Sequence, residues 1–218
     1  MGRKKGYDRP ELVETAMGVF HSRGFKGAST EILVKKLAVN RNSVYAEFGS
    51  KEQLFSVALS EYDRQVVSQL FGPLESPDAN LDDIEALYRS FSANATKAKG
   101  LGCLMCNTAA ELGGSEPSMQ PHVERYFARL HNAFCNALEG AVRTKQIECE
   151  IDIDDEAWSL TAGCLGIFLM VRAGIATTAA LAAVNGSLHH LQRLKETAPD
   201  EQPFMLNSGL PDINTPPA

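Results

Sequence analysis

The sequence predicts an all-α protein of about nine helices, with a head of three short helices at the N-terminal end and a helical bundle behind it. Three observations support this prediction. Apolar residues recur at helical spacing through most of the chain. Helix-capping and helix-breaking residues separate these stretches. No hairpin dipeptide joins two alternating runs, and the alternating stretch at residues 148–154 lies between two helical patterns and is interpreted as a loop.

The composition describes a chain that can form a sizeable core. It has 218 residues, 44% of them hydrophobic, which is enough for one or two domains. The longest apolar stretch, residues 162–171, is too short to span a bilayer, so no membrane partner is expected. The charged N-terminus is not followed by an apolar signal segment, and we therefore expect a cytoplasmic protein.

Charge is divided unevenly along the chain. Residues 1–51 carry ten Lys/Arg against five Asp/Glu, whereas the remainder carries eleven against twenty-two. The net charge of −6 therefore hides a head of +5 and a body of −11. A basic head on an acidic body is typical of binding to a polyanion, although charge alone leaves open the chance clustering of solvated side chains.

Four helices are predicted in the first third of the chain. The first begins near Pro10 and ends before Gly24, since proline suits an early helical position and glycine suits a helix end. The others cover about residues 29–37, 40–48 and 51–71. Polar residues are expected to cap the third and fourth helices. These caps are Asn40 and Ser50.

Five further helices are predicted in the rest of the chain. They cover about residues 80–99, 103–112, 118–145, 155–173 and 178–195. The segment after Pro199 holds four of the ten prolines and few apolar residues, and it is expected to be flexible.

The second and third helices, joined by the short turn Ala38-Val39, form a predicted helix-turn-helix. The third helix presents Arg41, Asn42 and Ser43 near its N-terminus, the end that enters the major groove in this motif. An arginine side chain can pair with guanine and an asparagine side chain with adenine, while a serine hydroxyl can contact either base. Tyr45 and Lys51 are placed to reach phosphates, Lys51 at a helix N-terminus. With the start of the second helix included, the predicted DNA contacts are Ser29, Thr30, Asn40, Arg41, Asn42, Ser43, Tyr45 and Lys51.

Residues 24–32 and 38–52 resemble the DNA-binding region of the TetR/AcrR family of bacterial regulators. The most specific block is Tyr45…Phe48…Ser50-Lys51-Glu52, and the resemblance covers about residues 8–60. It implies a homodimer formed by the last two long helices and a palindrome-like double-stranded DNA operator. It also implies a helical body that binds a small-molecule effector, and a repressor that leaves its operator when the effector binds. The expected division is a DNA-binding domain at residues 1–52, a connecting helix at about 51–71, a ligand-binding and dimerisation domain at 72–197, and a tail at 198–218.

Two positions depart from the family pattern. Ala38 stands where the family usually has a turn glycine, and an alanine with a left-handed backbone there costs about 1 kcal/mol. Ala28 stands where the family often has a threonine cap, so Ser29 or Thr30 is expected to cap the second helix.

The stretch from Gly102 to Leu112 is similar to one found in a branch of the same family, where this helix lies between the DNA-binding head and the ligand cavity. Cys103 lies at the start of the predicted helix, where the helix dipole stabilises a thiolate, and Lys97 and Lys99 are near in sequence. An electrophile- or oxidant-sensing role for Cys103 is therefore one hypothesis, and inert packing is the favoured alternative. Because Cys103-x-x-Cys106 has no second pair, and a disulfide within one helical turn is strained, no metal site or disulfide is predicted.

A ligand pocket is predicted within the body. Asn107 and Glu111 are polar residues one turn apart in an apolar helix, and they either anchor a ligand group or bridge neighbouring helices. The candidate pocket residues are Tyr88, Phe91, Cys103, Met105, Asn107, Glu111, Tyr126, Trp158 and Phe168.

Two other classes of function are weighed. An enzyme is not expected, because the usual phosphate-binding, nucleophile-elbow and zinc-protease motifs are missing and no cofactor is implied. A hydrolase that depends on Cys103 is an alternative of another class, but nothing in the sequence marks a partner histidine for the thiol, and His189-His190 lacks an evident partner. An adaptor without DNA binding is disfavoured by the retained Arg41, Tyr45 and Lys51.

Overall fold

The computed structural model describes residues 7–95, 100–147 and 150–196, and these ranges are helical without any strand. The head contains α1 (Arg9–Gly27), α2 (Thr30–Leu37) and α3 (Arg41–Phe48), and α4 (Lys51–Tyr62) packs against α1. Phe20, Phe25 and Phe55 form the centre of this packing, with the ring centroid of Phe55 4.6 Å from that of Phe20 and 5.1 Å from that of Phe25. The predicted all-α class is confirmed.

The predicted end of the first helix corresponds to a break at Gly24. The backbone there has φ 72° and ψ 176°, a conformation that is essentially restricted to glycine. The chain then makes one more helical turn to Gly27. The break directs the amides of Phe25 and Lys26 away from the helix and towards the body of the protein.

The predicted fourth helix is a continuous helical segment that contains a change of winding. After Tyr62 the chain forms a π-helical turn at Asp63–Val67, followed by α5 (Ser68–Phe71) and a 3₁₀ turn at Gly72–Glu75. The Ser68 hydroxyl donates to the carbonyl of Asp63 at 3.0 Å. π turns of this kind are frequent at functional sites, and the sequence pattern did not predict this one.

The body contains α6 (Leu81–Ala95), α7 (Leu104–Leu112), α8 (Gln120–Arg143), α9 (Ile153–Arg172) and α10 (Thr177–Glu196). All five lie close to their predicted positions. Residues 96–99 at the predicted end of the fifth helix, part of the predicted 148–154 loop and the predicted tail at 198–218 lie outside the described residues. None of the described helices is long and apolar enough to cross a membrane.

Helix α8 lies at the centre of the body, where it contacts α6, α7 and α9. Its apolar face buries Tyr126, Leu130 and Phe134 almost completely. Helix α9 behaves differently, because part of its apolar surface faces outwards. Trp158 and Leu169 on α9, and Ile175 just beyond it, are 45%, 53% and 48% exposed.

The turn between α2 and α3 contains the strained alanine that the sequence predicts. Ala38 has φ 53° and ψ 28°, in the left-handed region. Because glycine adopts this conformation without a Cβ clash, Ala38→Gly is expected to raise the free energy of unfolding by about 0.5–1 kcal/mol, after allowing for the greater entropy of glycine in the unfolded chain.

Urea denaturation at a fixed protein concentration measures this effect. Ala46→Gly is the matched control, since Ala46 is exposed in the regular helix α3 and the same change there should cost about 1 kcal/mol. If Ala38→Gly destabilises the protein as much as the control does, the left-handed strain at Ala38 contributes nothing.

Candidate functional site

Side-chain caps set the geometry of the helix-turn-helix. Ser29 accepts from the amide of Ile32 at 3.4 Å, so it serves as the cap that Ala28 does not provide. The Asn40 side chain accepts from the amide of Ser43 at 2.8 Å and begins α3. Ser50 does the same for α4 by accepting from the amide of Gln53 at 3.2 Å. These caps fix the residues at which the three helices begin.

The exposed surface of α3 carries the predicted base-reading residues. Arg41 and Asn42 are exposed and Ser43 is half-buried, whereas Val44 and Phe48 are buried against the head. The Arg41 guanidinium lies 5.5 Å from the centroid of the Tyr45 ring. This placement gives α3 an apolar inner face and a polar outer face, as a recognition helix requires.

Two contacts hold the other predicted DNA residues in place. The hydroxyls of Thr30 and Tyr45 lie 3.0 Å apart and join α2 to α3. The Lys51 ammonium lies 4.2 Å from the centroid of the Phe25 ring, at the first residue of α4. An ammonium that rests on an aromatic face stays charged, and the contact restricts the conformations of the lysine side chain. The eight predicted residues are thus brought to α2, α3 and the start of α4, and contact with DNA itself stays a prediction.

A carboxylate on α7 joins the body to the head at the Gly24 break. Glu111 accepts from the amide of Phe25 at 2.9 Å and from that of Lys26 at 2.7 Å, one bond to each carboxylate oxygen. A Cβ on Gly24 would collide with this carboxylate. The sequence left open whether Glu111 anchors a ligand group or bridges neighbouring helices. In the structure it bridges α7 and α1.

The other end of α7 also contacts the head. The His21 ring on α1 lies 3.0 Å from the carbonyl of Gly102, and Arg172 of α9 donates to the carbonyl of His21 at 3.1 Å. Burial of the imidazole, opposed by the Gly102 carbonyl, lowers the pKa of His21. Both ends of α7 are therefore tied to α1.

Three predicted pocket residues form an aromatic cluster. The ring centroids of Tyr88 and Phe91 are 5.7 Å apart, and those of Phe91 and Phe168 are 5.1 Å apart. The Tyr88 hydroxyl donates to the carbonyl of Leu160 at 2.9 Å, so its polar group is already occupied. This cluster has the character of core packing between α6 and α9.

The remaining predicted residues separate into two places. Cys103 is buried and its sulfur lies 3.4 Å from the Tyr126 hydroxyl, while Asn107 donates to the carbonyl of Leu101 at 2.8 Å. Met105 is buried beside them. Trp158 lies apart from this group, since its exposed ring stacks on His131 at 4.2 Å between centroids.

A cavity of about 450 Å³ lies beside Met105 and Tyr126. Met105 and Tyr126 are the two predicted residues among those that line it, and the others are polar: Ser60, Asp63, His122, Arg125 and Arg129. The sequence did not predict these five, because they come from separate helices whose packing no local pattern records. The one available signal was the i, i+4 spacing of Arg125 and Arg129 on α8.

Arg129 connects this cavity to the π turn. Its guanidinium donates to Asp63 at 3.1 Å and to the Ser68 hydroxyl at 3.1 Å, and it also pairs with Glu75. The hydrogen bond from Arg129 holds the pKa of the Glu75 carboxyl below its usual value. The altered winding of the α4–α5 segment is therefore stabilised by a charged group on the cavity wall.

One sequence prediction about a candidate partner is wrong. His190 was expected to lack a partner, but its Nε2 lies 2.7 Å from a carboxylate oxygen of Glu156, because α9 and α10 pack side by side. Cys103, Cys106, Cys135 and Cys164 are free thiols. Lys97, Lys99 and Cys149 lie outside the described residues.

Two sequence profiles match the chain. Residues 12–58 match the bacterial regulatory proteins of the tetR family, and residues 80–187 match the tetracyclin repressor-like C-terminal domain. The first match contains α2, α3 and the turn between them, and the second extends from α6 to the middle of α10.

Two curated relatives are similar in sequence to the chain. The uncharacterized HTH-type transcriptional regulator YezE of Bacillus subtilis (strain 168) is 28% identical over 140 residues, which is 63% of this chain and 72% of YezE. The HTH-type transcriptional repressor DhaR of Mycobacterium sp. (strain GP1) is 26% identical over 164 residues, 75% of this chain and 82% of DhaR.

A solved structure has the same fold. It is a cysteine mutant of the TetR family transcriptional regulator CifR, complexed with 26-bp double-strand operator DNA. It superposes with a TM-score of 0.74 at 25% identity and covers 86% of this chain and 98% of that one. The matches at both ends of the chain and the common fold lead to one conclusion: the chain belongs to the TetR family of DNA-binding transcriptional regulators.

Proposed function

We propose that the chain is a homodimeric repressor that binds a palindrome-like operator through α3 and leaves it when a small molecule occupies the cavity beside α7. The observation that carries this proposal is the position of α7. Its first residues lie at the cavity, and Glu111 near its end bonds to the head. The corresponding division is a DNA-binding domain at 1–52, a connecting helix at about 51–71, a sensing and dimerisation domain at 72–197 and a tail at 198–218.

The charge and the exposed groups of the head support the DNA-binding part. Exposed Arg41 and Asn42 have the donors and acceptors that read base edges, and Lys51 stands at a helix N-terminus where a phosphate is favoured. The Thr30–Tyr45 pair adds two hydroxyls able to bond the DNA backbone. The acidic body would be repelled by the DNA phosphates, and this repulsion would orient the protein with its basic head towards the DNA.

Dimerisation is supported by the outward face of α9. Trp158 and Leu169 are large apolar side chains exposed on this helix, with the small residues Ala162 and Gly166 exposed between them. Residues spaced in this way lie on one side of a helix, and small residues allow a second helix to approach closely. A second copy of α9 and α10 across a two-fold axis would cover this face.

A route from the cavity to the head follows from the contacts of α7. The helix has nine residues, about 13 Å of rigid rod. Met105 lines the cavity together with Tyr126, whose hydroxyl contacts Cys103. At the other end of the helix, Glu111 accepts a hydrogen bond from the Phe25 amide, just after the Gly24 break. A ligand that displaces α7 would therefore move α1 and change the spacing of the two heads in the dimer.

The thiol-sensing alternative has less support. Cys103 is only 5% exposed, so an electrophile or oxidant has little access to it. Burial raises the pKa of Cys106 to about 11 and that of Cys164 to about 12, which keeps both thiols protonated near neutral pH. These properties favour inert packing.

We also infer that the chain acts by binding and not by catalysis, in the cytoplasm where its operator would be. A hydrolase that depends on Cys103 would need a base beside the thiol. The Cys103 sulfur lies 3.4 Å from the Tyr126 hydroxyl, and burial raises the pKa of that tyrosine, so the hydroxyl stays protonated near neutral pH and does not take the thiol proton.

Selection from a random DNA library with the full-length protein tests the proposal. The expected product is an inverted repeat whose half-sites are centred about one helical turn, 10–10.5 base pairs, or a multiple of it apart. Its affinity should fall steeply with added salt. Enrichment of a single unrepeated half-site would contradict the dimer, and failure to enrich any sequence would contradict specific DNA binding.

A further inference from the structure

Three side chains that bind metals readily meet between α8 and α9, on residues to which the proposed function gives no role. His131 Nε2 lies 3.1 Å from Asp154 Oδ1 and 3.6 Å from the sulfur of Cys135. One ligand atom from each residue lies within 4.8 Å of the other two.

The local structure explains why these groups are close. His131 and Cys135 are one turn apart on α8, so their side chains lie on the same side of the helix. Asp154 lies in the first turn of α9, which packs along α8. Trp158, one turn further along α9, stacks on the His131 ring with 26° between the planes. The stacking restrains the plane of the imidazole, whose Nε2 is the ring nitrogen nearer to the Cys135 sulfur.

We propose that His131, Cys135 and Asp154 bind Zn²⁺ or a similar late first-row divalent ion. A thiolate, an imidazole and a carboxylate are the usual zinc ligands in proteins. Tetrahedral Zn²⁺, at about 2.3 Å from sulfur and about 2.0–2.1 Å from nitrogen and oxygen, places the sulfur and nitrogen about 3.6 Å apart and the nitrogen and oxygen about 3.3 Å apart. The observed 3.6 Å and 3.1 Å are close to both values.

The surroundings of the cluster suit an ion that is open on one side. His131 is mostly buried, with its side chain 13% exposed, while that of Asp154 is 70% exposed, so a water molecule can complete the tetrahedron from the solvent side. The carboxylates of Asp154 and Glu139 act electrostatically on the Cys135 side chain, and their negative charge favours a divalent cation there. Binding displaces the thiol proton to solvent.

The site would fasten α8 to the start of α9. Helix α9 also carries exposed Trp158 and Leu169, so an ion here would fix the position of that apolar face against the rest of the body. The inference does not depend on the DNA-binding function, because it rests on the three ligand groups alone.

Titration of the chelator-treated full-length protein with Co²⁺ tests the proposal. Co²⁺ bound to a thiolate gives a charge-transfer absorption, and a tetrahedral site gives intense d–d bands. Trp158 is the only tryptophan of the 218 residues, so quenching of tryptophan fluorescence by Co²⁺ reports binding at this cluster. We expect both signals to saturate together at one Co²⁺ per chain, and added Zn²⁺ to abolish them.

Variants decide which residues bind the ion. Cys135→Ser should abolish the charge-transfer band and weaken Co²⁺ binding at least tenfold, and Asp154→Asn should weaken it about tenfold. Cys106→Ser removes a half-buried thiol from α7 and should leave both signals unchanged. Circular dichroism without metal verifies that each variant is folded. A band that survives Cys135→Ser, Co²⁺ binding without a thiolate band, or unchanged Trp158 fluorescence at saturation would each overturn the proposal.

Discussion

Replacing Gly24 with alanine is expected to lower the free energy of unfolding by about 3 kcal/mol, because two separate costs add at this position. The first is conformational, since φ 72° and ψ 176° form a combination that residues with a Cβ avoid. The second is steric, since the new Cβ collides with the Glu111 carboxylate and disturbs its bonds to Phe25 and Lys26. A loss of this size corresponds to a fall of roughly 6–12 °C in the midpoint of thermal unfolding for a chain of this length.

Gly18→Ala is the matched control for this change. Gly18 lies in the regular part of the same helix, and a Cβ there meets no other atom within 4 Å. Alanine at Gly18 should therefore stabilise the protein by about 0.5–1 kcal/mol. Both variants are compared at one protein concentration, because the stability of a dimer depends on concentration.

A double-mutant cycle with Glu111→Ala separates the two costs. If the collision contributes, Gly24→Ala should cost clearly less in the Glu111→Ala background, where only the backbone cost of about 1–3 kcal/mol remains. Equal costs in both backgrounds would mean that the collision with Glu111 contributes nothing and that the whole loss comes from the backbone conformation.

The helices were predictable because their signals are local. Ser50 caps α4 as the sequence predicted, and α7 begins at Leu104, one residue after its predicted start at Cys103, since caps and apolar spacing depend on residues within one turn. The π turn at Asp63–Val67 was not predictable in this way. It depends on Arg129, which lies more than sixty residues further along the chain and bonds to Asp63 and Ser68.

The sites were predictable to different degrees for the same reason. The head residues lie within one short motif, whose order along the chain sets their positions. The cavity wall brings Ser60 and Arg125 together from separate helices, and no local pattern records that contact. The cluster of His131, Cys135 and Asp154 could not be predicted from local spacing, because the H-x-x-x-C pattern lacks its third ligand until α9 is placed beside α8.

Replacing Arg41 with alanine is expected to have the largest effect on operator binding. Arg41 is exposed at the first residue of α3, and its guanidinium is supported by the Tyr45 ring. An arginine that pairs with a guanine contributes about 1–3 kcal/mol of discrimination, or roughly 5- to 150-fold in affinity for each half-site. The loss should fall on one base position of the selected operator, and binding to unrelated DNA should change much less.

Lys51→Ala distinguishes a phosphate contact from a base contact. Its ammonium rests on Phe25 at the N-terminus of α4, a position suited to the DNA backbone and not to a base edge. The variant should weaken binding to every sequence alike and reduce the slope of log affinity against log salt by about 1 for each protomer. Arg41→Ala should instead alter the preferred sequence.

Fluorescence anisotropy at several salt concentrations measures both effects on the selected operator and on single-base variants of it. Arg89→Ala is the control, because it removes an exposed guanidinium from α6 in the body and should change neither the slope nor the preference. If Arg41→Ala and Lys51→Ala weaken all sequences equally, α3 does not read bases through Arg41. If neither variant differs from the control, the DNA-binding surface lies elsewhere on the head. Helix α2 offers such a surface, since its Lys35 and Lys36 are also exposed.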